Sequence, residues 1–186
     1  MRVFAFLAFA FAMSAHAQDV YTVDPAHTSI VFKVNHMGFS HVYGTFSGAE
    51  GKITVDEKAP EKSSFEISVK ADSVSTNQQK RDDHLKSPDF FNAKQYPTIS
   101  LKSKSVKKAG DKLEITGDLT LHGVTKPVTF MFTRMKTGKD PMGNTRTGGE
   151  TTLKIKRTDY GMNFMSKPGE VGDEVELFVN VEGTKK

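Results

Sequence analysis

Apolar and polar side chains alternate along most of the chain after its first 17 residues. Residues 113–121 show this most clearly, with apolar residues or glycine at every second position and acidic or hydroxyl side chains between them. Successive residues of a strand point to opposite sides of a sheet, so the pattern predicts about eight antiparallel strands, each with one apolar face. Glycine-containing turns, such as His122-Gly123, separate the alternating segments.

Residues 76–93 interrupt the alternation. Thr76 and Gln79 have the spacing of a capping box, which predicts a helix that ends near Lys86. Ser87 followed by Pro88 is typical of a second helix start, with serine as the N-cap and proline at the first helical position. We therefore expect a short helical insertion around residues 76–93 in a mainly β chain.

The apolar faces of the predicted strands need a partner surface. Two packed sheets, or one sheet closed into a barrel, both provide it. An eight-stranded barrel either fills its interior with side chains or leaves room for one small ligand. The 14 phenylalanines of the chain suit a dry core and a lipid pocket equally well. The pattern alone thus leaves a sandwich and a barrel open.

The first 17 residues have the features of a secretory signal peptide. Arg2 is followed by an apolar run that ends at Met13 and is too short to span a bilayer. Ala15 and Ala17 form a small-residue cleavage site. We expect residues 18–186 to be exported, to fold as a single domain and to reside in the periplasm.

The composition excludes several classes of function. The chain has no cysteine, and therefore no disulfide, cysteine-ligated metal or catalytic thiolate. With 26 basic and 22 acidic residues, its net charge is only +4, and neither this charge nor export favours a nucleic-acid partner. The sequence leaves the oligomeric state open, a homodimer included.

The densest polar cluster is Arg81-Asp82-Asp83-His84. An enzyme would use His84 as a general base oriented by Asp82 or Asp83, although adjacent residues of a helix point in different directions. Salt bridges that hold the helix over the sheet, or contact with the head group of a ligand, explain the same residues. The nucleophile-elbow, zinc-protease and phosphate-loop motifs are all absent from the sequence.

Two pairs of side chains are candidate copper ligands: His36 with His41, and Met162 with Met165. Methionine also fills irregular apolar gaps, and a lone histidine on an apolar strand face is more often part of a core or a pocket rim. We expect no metal site and no cofactor.

Several segments together resemble the YceI-like family of exported polyisoprenoid-binding proteins. They follow one another in the family's order over nearly the whole chain after residue 17, with Tyr21 where the family often has tryptophan. The segments are residues 24–32, 36–39, 42–46, 81–85, 89–91, 96–97, 117–128, 157–161 and 171–175.

The resemblance implies an eight-stranded antiparallel barrel of the lipocalin type, with a long apolar pocket for an isoprenoid or a similar long-chain amphiphile. An isoprenoid quinone and a prenyl phosphate are examples of such ligands. It also implies binding rather than catalysis, so we predict a non-enzymatic lipid carrier. A lipid-acting enzyme that uses His84 with Asp82 or Asp83, and a partner-binding β-domain with a dry core, are the alternatives.

The low solubility of such a ligand in water predicts where the carrier takes it up. A long apolar tail resides in a bilayer rather than in water, so the carrier is expected to make transient contact with a membrane surface. We predict that inward side chains line the tail, that two phenylalanines cover one end, and that four polar residues form a rim. The tail-lining residues are Phe32, Val34, Phe46, Phe65, Ile67, Ile99, Leu101, Leu119, Leu121, Phe130 and Phe132; the cover is Phe90 and Phe91; the rim is His36, Arg81, His84 and Arg157.

Overall fold

The computed structural model of the protein describes residues 18–185, and the predicted signal peptide lies outside the described residues. The described chain is mainly β, with eleven strands and one eight-residue helix, α1 (Gln79–Lys86). The strands are β1 (Asp19–Val23), β2 (Ser29–His36), β3 (Ser40–Phe46), β4 (Glu50–Val55), β5 (Ser64–Lys70), β6 (Thr98–Ala109), β7 (Lys112–Leu121), β8 (Val124–Arg134), β9 (Gly138–Lys139), β10 (Thr145–Lys156) and β11 (Val171–Lys185).

The strands close into an eight-stranded antiparallel barrel, as the resemblance implied. One side of β11 pairs with β10 along its length, and the other side pairs with β2 and then with β1. Because β2 pairs with β3 while β1 pairs with β4, β1 and β2 act as one bent strand, and β3 and β4 as the next. β5 to β8 and β10 complete the ring in sequence order, and β9 only extends β10.

The two ends of this barrel differ, and we name them by what closes them. At the closed end, the connections lie between β4 and β5, β6 and β7, and β8 and β10. At the open end lie four connections: residues 37–39, 71–97, 122–123 and 157–170. The half of the barrel next to each end is called the closed half or the open half.

The helix begins two residues later than a cap at Thr76 predicts. Gln78 is the N-cap, and its side chain accepts a hydrogen bond from the Arg81 backbone N–H at 2.7 Å. Thr76 instead donates its backbone N–H and its hydroxyl to the buried carboxylate of Asp82, at 2.8 and 2.5 Å. The predicted end at Lys86 is correct. Within residues 18–185, no helix has the length and apolar character needed to cross a bilayer.

The second predicted helix does not form, because residues 87–93 fold back in turns against the end of α1. The backbone N–H of Phe91 donates to the Leu85 carbonyl at 2.9 Å, and that of Ala93 donates to the Lys86 carbonyl at 3.0 Å. Asn92 adopts the left-handed conformation, which asparagine tolerates well. The turn places the two phenylalanines of this segment beside the open end of the barrel.

The closed half of the barrel is filled with side chains. Tyr21, Ile115 and Val181 are almost completely inaccessible. The rings of Phe65 and Phe132 lie 5.1 Å apart, a distance typical of favourable aromatic pairs. This half is a dry core of the kind that a folded domain needs for stability.

Candidate functional site

The open half contains an apolar cavity of about 360 Å³. Its walls come from the inward faces of β2, β3, β5, β6, β7, β10 and β11, while α1, the turn after it and the 157–170 connection surround its mouth. The volume is within the range of small-molecule sites, near the lower end. The space that remains around Phe65 and Phe132 in the closed half is only about 10 Å³.

Most of the residues that the sequence predicted for a binding site border this cavity. Fourteen of the seventeen do so, and their contact with a ligand stays a prediction. They are Phe32, Val34, His36, Phe46, Ile67, Arg81, His84, Phe90, Phe91, Ile99, Leu101, Leu119, Leu121 and Arg157.

The structure places Phe65, Phe130 and Phe132 away from the cavity, in the core of the closed half. All three point inward, as the alternation predicted, but they lie in the halves of their strands next to the closed end. Alternation with a period of two specifies the face of a strand and not the depth along the barrel. The three residues therefore pack against each other and their neighbours instead of lining the cavity.

Sequence reasoning missed a large part of the cavity lining. The strand positions on β10 and β11 follow the same alternation and were available from the sequence, whereas the 157–170 connection offers no such pattern. Met162 and Met165 were weighed as metal ligands or as apolar gap fillers and were not named among the tail-lining residues. The missed apolar residues are Ile30, Val42, Val69, Leu85, Leu153, Ile155, Met162, Phe164, Met165, Val171, Val175, Leu177 and Val179.

Three aromatic rings form one side of the cavity. The Phe46 ring lies 5.8 Å from that of Phe32 and 5.3 Å from that of Phe91, with an edge-to-face arrangement in the second pair. The Phe32 ring lies directly over Gly44, where a Cβ atom would come within 2.2 Å of it. Glycine at this position lets an aromatic ring lie flat against the barrel wall and leaves the centre of the cavity open.

A second aromatic group surrounds the mouth. The His84 ring packs edge-to-face on Phe90 and Phe164, at centroid distances of 5.1 and 4.9 Å. Its Nε2 atom lies 2.9 Å from a carboxylate oxygen of Asp89. His84 therefore adds a polar atom to this aromatic group.

The acid–base pair of the enzyme hypothesis is not assembled. Both carboxylates that the hypothesis offered to His84 have other partners. Asp82 accepts the two hydrogen bonds from Thr76, and Asp83 accepts one from the Gln79 side chain at 2.8 Å. The partner of His84 is Asp89, five residues away, which the hypothesis did not include.

Arg81 holds the start of α1 in place. Its guanidinium donates to the Thr76 hydroxyl at 2.7 Å and to the Thr76 carbonyl at 3.0 Å. The side chain borders the cavity while remaining exposed to solvent. Helix anchoring and contact with a ligand head group, which the sequence posed as alternatives, are thus compatible for this residue.

Arg157 organises the 157–170 connection. The residue is only 3% exposed, and all five N–H groups of its guanidinium donate to backbone carbonyls at 2.7 to 2.9 Å. Burial lowers the pKa of Arg157, and the nearby Asp173 and Glu170 oppose this change. Because every donor is used, Arg157 is available to a ligand only through its charge. The accepting carbonyls belong to Met162, Phe164, Met165, Val171 and Gly172.

The same connection is tied to the turn between β7 and β8. The His122 Nδ1 atom lies 2.8 Å from the Tyr160 carbonyl oxygen, and the His122 ring packs edge-to-face on Tyr96. Tyr160 itself is buried, and burial raises the pKa of its hydroxyl. Two separate connections of the open end are thereby fixed to each other, which gives the mouth a defined shape.

One group of side chains in residues 18–185 has metal-like spacing: Asp24, His27 and Glu182. It lies away from the cavity, at the junction of β1 and β2. The guanidinium of Arg146 already donates to Asp24 at 2.7 Å and to Glu182 at 2.5 Å. A cation thus neutralises these carboxylates, and the group fits an ion-pair network better than a metal centre.

Comparisons with known proteins agree with this architecture. The YceI-like domain matches residues 21–183. Protein YceI of Escherichia coli O157:H7 is 44% identical over 185 residues, which cover 98% of this chain and 95% of that protein. The chain belongs to the YceI-like family. Its barrel and cavity are therefore those of a YceI-like protein.

Solved structures show the same fold. The YceI protein of Campylobacter jejuni superposes with a TM-score of 0.73 at 33% identity, and the match covers 89% of this chain and 98% of that one. A polyisoprenoid-binding domain from Saccharophagus degradans superposes with a TM-score of 0.66 at 14% identity, with the same coverage. At that identity, the second similarity concerns the fold alone.

Proposed function

We propose that this YceI-like chain is a non-catalytic carrier that holds the tail of a polyisoprenoid, or of a similar long-chain amphiphile, in the open half of its barrel. The observation that carries the proposal is the cavity itself. Its walls are almost entirely apolar, and polar side chains occur mainly at its mouth. Such a site offers burial to an apolar tail and leaves a polar head group near water.

The ligand class is supported by the fold comparison. The Saccharophagus degradans domain with this barrel is a polyisoprenoid-binding domain. In the present chain, the aromatic and branched aliphatic residues of the walls provide the non-directional contacts that a methyl-branched chain requires. An isoprenoid quinone and a prenyl phosphate both fit this description.

The cavity volume limits how such a ligand is held. A cavity of about 360 Å³ is small for a long polyisoprenoid. Either the rings at the mouth, His84, Phe90 and Phe164, rotate away when the ligand enters, or part of the tail remains outside. Rotamer changes of this kind are common on binding and need no change in the barrel.

The location of the carrier follows from residues 1–17. A signal peptide at this position directs the chain to the periplasm. There the carrier takes its ligand from a membrane, because a long apolar tail has no appreciable concentration in water.

Filling the cavity tests the proposal. Leu177 faces the cavity from β11, while the next residue, Phe178, lies on the outer face beneath the Lys33 ammonium. Leu177→Trp should greatly reduce the lipid recovered by organic extraction of the purified protein, because the indole occupies the volume of the tail. Phe178→Trp is the matched control and should retain the lipid content of the wild type. Equal lipid content in the two folded variants, or none in the wild type after a polyisoprenoid is added, would overturn the proposal.

A further inference from the structure

The open end carries exposed apolar side chains on two of its connections. Phe39 is 85% exposed at the tip of the turn between β2 and β3, next to the partly exposed Met37. Phe164 and Met165 are exposed on the 157–170 connection, and both border the cavity mouth. Phe164 and Met165 thus extend the apolar surface of the cavity to its mouth, and Met37 and Phe39 lie at the same end of the barrel.

The turn that presents Phe39 has a defined conformation. The Phe39 backbone N–H donates to the His36 carbonyl at 3.0 Å, and the Gly38 N–H donates to the Asn35 side chain at 2.8 Å. Met37 and Gly38 both have positive φ. A turn fixed in this way holds an aromatic side chain in solvent, where it gains nothing for the stability of the isolated protein.

The salt bridges of lysine and arginine are distributed unequally along the barrel. Among residues 18–185, every salt bridge that a lysine or an arginine forms joins residues of the barrel wall or of the closed end. None involves the connections at residues 71–97 or 157–170. Lys80, Lys94 and Lys167 are exposed on those connections, and none of their ammonium groups forms a salt bridge with the described residues. The mouth therefore combines apolar side chains with three ammonium groups that take part in no salt bridge within the described part of the chain. Acidic residues lie on the same connections, and the Glu170 carboxylate accepts a hydrogen bond from the Lys167 backbone N–H at 2.9 Å.

We infer that the open end docks on an anionic phospholipid bilayer, with Phe39 and the apolar rim in the interface and the lysines on the lipid phosphates. Exposed apolar side chains together with lysines are typical of interfacial membrane-binding surfaces. Docking in this orientation makes the cavity continuous with the hydrocarbon of the bilayer, so a ligand enters without crossing water. The inference rests on the proposed carrier function, for which it names the donor of the ligand.

Vesicle binding tests the apolar part of this surface. Wild-type protein should sediment with phosphatidylglycerol vesicles, and Phe39→Ser should weaken its partitioning by about tenfold. Met142 is 88% exposed in the connection between β8 and β10, at the closed end, so Met142→Ser is the matched control and should bind as the wild type does. Failure of the wild type to sediment, or equal loss in both variants, would overturn the inference.

Lysine substitutions test the charged part. The triple variant Lys80→Gln, Lys94→Gln and Lys167→Gln should bind phosphatidylglycerol vesicles at low salt more weakly, by about fivefold for each lysine replaced. It should not differ from the wild type on phosphatidylcholine vesicles. A control variant with Lys108→Gln, Lys112→Gln and Lys139→Gln removes the same charge near the closed end. Its binding to phosphatidylglycerol vesicles should weaken much less. Equal losses in the two triple variants would show attraction by net charge only and would contradict docking through the mouth.

Lipid content separates this inference from the carrier function. Protein that retains a polyisoprenoid but does not sediment with either kind of vesicle would overturn docking and leave the carrier proposal intact. Protein that sediments through Phe39 but retains no lipid would support docking and overturn the carrier proposal.

Discussion

The closed and open halves of the barrel share its eight-stranded wall and the same alternation of side chains, but only the closed half is filled by its own side chains. In the closed half, Ile115, Val181 and the packed rings of Phe65 and Phe132 leave almost no empty volume. In the open half, the inward residues surround a cavity of about 360 Å³. The closed half supplies stability, which allows the open half to leave apolar surface without a partner.

Backbone strain follows the same division. In residues 18–185, five residues other than glycine have positive φ, and all five lie in connections of the open end. The tight turns of the closed end use Gly110 and Gly143 instead. Unfavourable backbone conformations tend to cluster at functional sites, where the surrounding structure maintains them. The five residues are Met37, Asn77, Asn92, His122 and Met165.

Replacement of a buried arginine should produce the largest difference in lost unfolding free energy between the two halves. Arg157→Met should cost about 4 kcal/mol of unfolding free energy, because five backbone carbonyls at the mouth lose their donors. Arg146→Met near the closed end should cost clearly less, since each of its three carboxylate partners remains partly exposed to water. Urea denaturation measures both. A smaller loss for Arg157→Met than for Arg146→Met would contradict the role assigned to Arg157.

A matched pair of leucines on β7 compares the packing of the two halves. Leu113 and Leu121 are both 5% exposed, but Leu113 lies in the closed half and Leu121 borders the cavity. Leu113→Ala should lower the unfolding free energy by about 4 kcal/mol. Leu121→Ala should lower it by only about 2 kcal/mol, since one side of Leu121 already faces empty space. Equal losses in urea denaturation would show that the open half is packed as tightly as the closed half.

Acid stability should depend on the ion pairs of Arg146. Hydrogen bonds from Arg146 lower the pKa of Asp24 and that of Asp140 to about 2. An aspartate in an unfolded chain titrates near pH ~3.9. The ionised carboxylates therefore stabilise the fold above about pH 4, and this stabilisation is lost as the pH falls through about 2.

Denaturation midpoints at two pH values test this assignment. Arg146→Gln should lower the urea midpoint at pH 7, and its midpoint should converge with that of the wild type near pH 2. Arg81→Gln at the open end is the control, because the guanidinium of Arg81 donates to neutral groups of Thr76. Its effect should be similar at both pH values. A constant difference between Arg146→Gln and the wild type would contradict the lowered pKa values.

Among these substitutions, one that relieves backbone strain at the mouth should change the unfolding free energy least. Met37→Gly should raise the unfolding free energy by about 0.5 to 1 kcal/mol, since glycine adopts positive φ without steric cost. The thermal midpoint measures this gain. The partly exposed Met37 side chain adds little burial to offset it. A decrease in the midpoint would show that the side chain, and not the turn conformation, decides the stability there.

The sequence predicted the strands well because alternation is a local property. The inward faces of β2 and β7, for example, agree with the alternation of their residues. Closure of the sheet into a barrel required the family resemblance, since alternation suits a sandwich as well. Depth along the barrel was not predictable either, and this is why Phe65, Phe130 and Phe132 were placed with the cavity residues.

The connections were less predictable than the strands. Ser87 and Pro88 match a helix start, but the fold-back of Phe91 onto the Leu85 carbonyl replaced the expected helix with turns. Arg157 was recognised as important, yet its five carbonyl partners are determined by the path of a connection that has no periodic pattern. The pairing of His84 with Asp89 likewise depends on the turn after α1.

Tryptophan fluorescence tests most directly whether the ligand lies in the open half. The chain has no tryptophan, so each introduced indole is the only one in the protein. Phe91→Trp places this probe at the cavity, and Phe130→Trp places it in the closed half. A dibrominated long-chain lipid quenches an indole that it contacts. We expect saturable quenching of the Phe91→Trp protein and little quenching of the Phe130→Trp protein; equal quenching of both, or of neither, would contradict the account.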